Sequence, residues 1–97
     1  MKNSIRRTAA TVLLASGLAV GATGTALAVV EYVGGGRWEH GFSAGSVYSN
    51  YFHGGVCHGS TAVGTYTDRT SAPAGYTSYA TAPEARWGNK TYWRTSC

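Results

Sequence analysis

Beyond residue 28 the chain sets hydrophobic and polar side chains in short alternating runs cut by glycine. Alternation with a period of two marks strands that cover one face. Residues 29–33 read as a short extended lead-in whose first positions are expected to be mobile, and Gly34, Gly35 and Gly36 then free the backbone. The stretch 37–42 is too short and too closely bounded by glycine for a helix. As a strand it carries Trp38 and His40 on one face, with Arg37, Glu39 and Gly41 on the other. After a turn around Gly45, residues 47–53 form a second strand, with Val47, Ser49, Tyr51 and His53 on one face and Tyr48, Asn50 and Phe52 on the other. Both faces carry rings, so both are expected to be partly covered. Alternation and dense threonine place a third strand over 61–67, followed by a loop over 70–75 that holds Pro73 and Gly75. Further strands are predicted over 76–82 and 91–95, separated by a break at Pro83-Glu84 and a turn at Gly88-Asn89. Strands at short spacing with no helical period predict an all-β fold, a small antiparallel β-sandwich or barrel.

The first 28 residues follow different rules. Lys2, Arg6 and Arg7 precede an apolar run over 9–22, and Ala26-Leu27-Ala28 ends the segment. A charged opening, a short apolar middle and an A-x-A close are the three parts of a secretory signal peptide. A membrane-spanning helix needs about 20 consecutive apolar residues, and this run is shorter and rich in Gly, Ala and Thr. The expected organisation is therefore a signal peptide over 1–28 and one small domain over 29–97, secreted to the extracellular side without a transmembrane anchor. Cleavage changes the charge picture, because three of the eight Lys and Arg residues leave with the leader. Arg37, Arg69, Arg86, Lys90 and Arg94 then face Glu31, Glu39, Asp68 and Glu84, five against four, for a net charge near +1. No run of cations remains, which argues against nucleic acid as a partner and against adsorption to a membrane by charge alone.

Isoleucine and leucine are absent after Leu27, so the core has to be built from Val, Ala and aromatic rings. A domain of under about 70 residues is marginal on a hydrophobic core alone, and secreted domains add disulfides. Cys57 and Cys97 are the only cysteines, and an oxidising compartment favours a bond between them. A zinc site made of Cys57, His53 and His58 is the competing reading. It is disfavoured because such sites take three or four ligands in a rigid frame and glycines flank these residues. No metal and no cofactor are expected.

Trp38 and His40 on one strand, with Tyr48, Asn50, Tyr51 and His53 on the next and His58 just beyond, are the candidate ligand-binding set. Rings stack on the apolar faces of sugars, and Tyr and His supply hydrogen bonds to sugars, lipid head groups or a diphosphate. For Trp38, Tyr48 and Tyr51 core packing competes with that role, since large rings are mostly buried. Arg37, Arg86, Lys90 and Arg94 are the cations suited to a phosphate, each competing with a plain solvated charge. Glu39, Asp68 and Glu84 are the carboxylates a wall hydrolase would need, but their spacing singles out no pair. Without a phosphate loop, a serine elbow or a zinc-type repeat, an enzyme is not expected.

Gly36-x-Trp38-x-His40-Gly41, then Ser46-x-Tyr48-Ser49-Asn50-Tyr51-x-His53-Gly54 and His58, resemble the opening of the mature lactococcin 972 family bacteriocins, which are unmodified and exported with a cleaved leader. The resemblance is dense over residues 36–63 and loose afterwards, returning near 78–81 and 91–94. It implies a sandwich of two three-stranded antiparallel sheets. It also implies killing of related bacteria by binding the cell-wall precursor lipid II and blocking septal wall synthesis, without catalysis. The shared pattern includes neither cysteine, so Cys57 and Cys97 read as a local staple. The alternative is a secreted envelope-binding or signalling β-domain that shares the scaffold and acts on the producer's own surface.

Overall fold

The computed structural model describes residues 27–97, whose regular structure is seven β-strands. Gly34 (φ 62°) and Gly35 (φ 87°) turn the chain in left-handed backbone at both central positions of a two-residue hairpin. Such a turn matches the strand twist, and glycine adopts it at no steric cost. It joins β1 (Leu27–Val33) to β2 (Gly36–Ser43), with Leu27 opposite Phe42 and Val33 opposite Gly36. Ala44 (φ 50°) and Gly45 (φ 83°) make a second such turn into β3 (Ser46–Phe52). On its other side β3 pairs with β6 (Thr77–Pro83). The first sheet therefore has the order β1-β2-β3-β6. The second, β5-β4-β7, is built from β4 (His58–Val63), β5 (Thr67–Ala72) and β7 (Lys90–Arg94), and every pairing is antiparallel.

The two sheets stack as a sandwich, with β3 and β6 over β4, β6 over β5 and β3 over β7. The all-β sandwich read from the sequence is what is observed, with four and three strands in place of three and three. The extra strand is β1, expected as a mobile lead-in. Its alternate residues Leu27, Val29, Glu31 and Val33 are half-buried, so the strand gains both a ladder and cover on one side. The leader expected over 1–28 lies outside the described residues except for Leu27 and Ala28, which open β1.

The strand expected over 61–67 begins earlier, at His58, and ends at Val63. The loop expected over 70–75 begins only after Ala72. Gly64 N–H donates to Tyr66 O (2.9 Å) and Thr65 N–H to Pro83 O (2.8 Å), so the chain reverses inside the threonine-rich run. Threonine flanks this turn on both sides, and its strand preference conceals the boundary.

The core between the sheets is layered along the strands. Phe42, Val47, Ala62, Ala80 and Ala82 form an apolar end, with Leu27 packed against it. Ser49, Ser60 and Ser78 form a buried polar layer in the middle. Tyr51, His58 and Trp93 fill the other end, their rings in edge or tilted contact. Cys57 and Cys97 are bonded, with Cα atoms 5.7 Å apart, and tie the β3–β4 loop to the C-terminal residue.

Candidate functional site

Strand alternation sends four of the seven candidate residues inward. Trp38 stacks on His40 with ring centroids 3.7 Å apart, as residues two apart on one strand face can. Its Nε1–H donates to Ser49 Oγ (2.9 Å), and that hydroxyl donates to Tyr92 O (2.9 Å) on the facing sheet. His40 is 3% exposed and bridges the sheets as well, with Nε2 at 2.8 Å from Glu31 Oε2 and Nδ1 at 2.9 Å from Thr91 Oγ1. A carboxylate only accepts and a hydroxyl can donate, which fits the tautomer protonated at Nε2. Burial pushes the His40 pKa down against the smaller upward pull of Glu31. Tyr51 and His58 are both 0% exposed. The Tyr51 hydroxyl donates to Val33 O (2.7 Å), and burial raises its pKa. His58 meets carbonyl oxygens at both nitrogens, Val56 O at Nδ1 (2.8 Å) and Tyr76 O at Nε2 (2.7 Å). These four side chains are occupied in joining the two sheets.

His53 stands at the rim. Its Nδ1 accepts from Gly55 N–H (2.9 Å) and Val56 N–H (3.3 Å), and Nε2 lies 3.0 Å from Gly34 O. The ring therefore shapes the β3–β4 loop and fastens it to the β1–β2 turn. With Cys57 in a disulfide and both His58 nitrogens bonded to backbone, the alternative set of Cys57, His53 and His58 is not assembled as metal ligands.

Tyr48 and Asn50 take the opposite phase and lie half-buried on the outer face of the first sheet. Register brings them into rows with residues that sequence reasoning did not join to them. One row runs Tyr32, Arg37, Phe52, Thr77; the next runs Val30, Glu39, Asn50, Tyr79; a third runs Ala28, Gly41, Tyr48, Thr81. Tyr32 is 78% exposed and Tyr79 68%, and Val30 and Phe52 are exposed too. An open groove of about 390 Å³ runs between Tyr32, Arg37 and Phe52 over Gly35 and Gly36. Arg37 Nη1 lies 3.6 Å from Glu39 Oε1, and the Tyr48 hydroxyl donates to Glu39 Oε2 at 3.5 Å. Partial burial, and then Glu39, raise the Tyr48 pKa, so it stays a hydrogen-bond donor. Strand phase alone placed Tyr48, Asn50 and Phe52 together. Tyr32 and Tyr79 join them only through pairing with β1 and β6. Chemically this face offers rings for stacking, an amide and a hydroxyl for hydrogen bonding, and one guanidinium beside a groove.

No curated protein and no solved structure matches the chain. Residues 34–93 match the family model described as bacteriocin (lactococcin 972). That span runs from the β1–β2 turn into β7 and holds the two three-stranded halves, β2-β3-β6 and β5-β4-β7. β1 and Cys97 lie outside it. The match covers well over half of the sequence and runs through every residue of the aromatic and histidine motifs, and so the chain belongs to the lactococcin 972 family of bacteriocins.

Proposed function

We propose that this antibacterial protein is exported, binds lipid II or a closely related envelope component, and blocks septal wall synthesis without chemical catalysis. Family membership supports the antibacterial part of this reading. The observation that carries the binding part is the outer face of the first sheet, where Tyr32, Phe52 and Tyr79 stand exposed around Arg37, Asn50 and Tyr48. Exposed apolar patches rimmed by polar groups mark binding surfaces. Rings for a sugar face and a forked cation for a phosphate or carboxylate suit a glycosylated, anionic precursor. Of the set expected from sequence, Tyr48 and Asn50 belong to this face, while Trp38, His40, Tyr51 and His58 support it from within.

The test is titration of the oxidised protein against bilayers with and without lipid II. Saturable binding only when lipid II is present is the expected result. A Tyr32→Ala, Phe52→Ala double variant should weaken it by about tenfold or more, the scale of losing buried aromatic contacts. Equal binding to both bilayers would rule out precursor capture. Undiminished binding by a folded double variant would move the site off this face.

A further inference from the structure

The outer face of the second sheet, on the far side of the sandwich, has the opposite character. Its rows pair Arg69 with Thr61 and Tyr92, Ser71 with Gly59 and Arg94, and Thr67 with Val63 and Lys90. Three of the five cations beyond residue 28 therefore share this face, and none of the four carboxylates does. Glu31 is bonded to His40, Glu39 sits on the first sheet, Asp68 accepts the Thr81 amide from the inner side of β5, and Glu84 lies in the β6–β7 loop. Residues 29–97, five cations against four carboxylates, have segregated their charges.

Arg94 is held in place. Its Nη2 reaches across β4 and donates to Thr70 O at 2.7 Å. The guanidinium lies over Gly59, where an added Cβ would collide with both Cζ and Nη2. Its Nε is enclosed with no hydrogen-bond partner. Burial, and then the nearby Arg69 charge, both disfavour its protonated form. Two guanidinium groups brought together without a counter-charge repel, and a partly covered one has lost water that would screen it. An anion carrying two charges relieves both costs, and arginine's planar fork is the side chain suited to phosphate oxygens. Arg69 flanks Thr61 in the row next to that of Gly59 and Arg94, so the two cations stand on either side of β4 in neighbouring rows, and only glycine at position 59 leaves room for a guanidinium to lie flat.

We propose that this face is a phosphate-binding site formed by Arg94 and Arg69, with Lys90 and the Thr61 hydroxyl at its margin. It takes the phosphate esters carried by an envelope polymer or an anionic phospholipid. The site is separate from the aromatic face and does not depend on recognition of lipid II.

The first probe is inorganic diphosphate, followed through the amide resonances of Gly59 and Thr61 and the Arg94 Nε–H resonance. Saturable shifts confined to these groups are expected. Arg69 is exposed and enters no salt bridge among the described residues, so Arg69→Gln keeps the fold. It should weaken binding by about tenfold, the loss expected for one hydrogen bond to a charged group. Arg94→Lys retains the charge but loses the fork and should weaken binding too. Absence of shifts, or an Arg69→Gln affinity within about twofold of the parent's, would overturn the proposal. A soluble glycerol phosphate polymer and phosphatidylglycerol vesicles, with phosphatidylcholine vesicles as control, then separate the two sources. Binding to the polymer or to the anionic vesicles that is lost in Arg69→Gln identifies the ligand. Binding to neither overturns the site. The Tyr32→Ala, Phe52→Ala variant should bind diphosphate normally, which keeps this result apart from the lipid II test.

Discussion

His40 shows how a motif residue can be read correctly in phase and still have its role decided by the opposite sheet. The sequence places it beside Trp38 on one strand face. The fold encloses it between Glu31 and Thr91 and lowers its pKa from the ordinary 6.5. A histidine kept neutral in the folded state lets the unfolded chain take up the extra proton as pH drops below 6.5. Its contribution is therefore fully present above that value and is lost as pH falls toward the folded pKa. The free energy of unfolding should decline by up to about 1.4 kcal/mol per pH unit in that window. His40→Gln should flatten the decline relative to the parent in urea titrations. Parallel pH profiles for the two proteins would refute this assignment. Ser49 illustrates a second limit of reading. Its alternation phase is visible, but its role in relaying Trp38 Nε1 to Tyr92 O depends on a residue 43 positions away.

At the scale of elements, turns were more legible than strand ends. The turn expected around Gly45 is present as a hairpin, and Gly34 and Gly35, expected only to free the backbone, form another. Ala44 is the exception among their central residues, held at φ 50° in a region that disfavours a Cβ. Ala44→Gly should stabilise the protein by about 0.5–1 kcal/mol, strain relief outweighing the added freedom of the unfolded chain. Thermal denaturation checks this, and a lowered midpoint would show that the turn carries no strain. Residues 29–33 look in the sequence like a short lead-in, because nothing local to them shows a partner. What holds them is a ladder with β2 and a half-buried side chain at every second position, neither of which is a local property. The β4–β5 boundary is hidden from the sequence for a similar reason. The Thr65 amide bonds Pro83 O, from a strand of the other sheet.

For the whole molecule, the added strand and the bond to Cys97 reach beyond the family match, and both bear on a core short of large aliphatics. Closing a loop with a sequence separation of 40 residues is worth up to about 4 kcal/mol on the chain-entropy model. Reduction, or a Cys57→Ser, Cys97→Ser variant, should lower the denaturation midpoint accordingly, and unchanged midpoints would show that the bond contributes nothing. The sequence by itself determined the strand class, the alternation phase of each motif residue, the cysteine pair and the family, because these depend on periodicity, composition and local spacing. Only the tertiary structure decided which face is inside. Rings occur on both phases of β3, and choosing between them requires the second sheet, where Tyr92 O receives the Ser49 hydroxyl that holds Trp38, Thr91 meets His40, and His58 and Trp93 pack against Tyr51. The same holds for the two outer surfaces. Tyr32 and Phe52, and likewise Arg69 and Arg94, share a face only through strand pairings, and such pairings are fixed by the burial of whole faces.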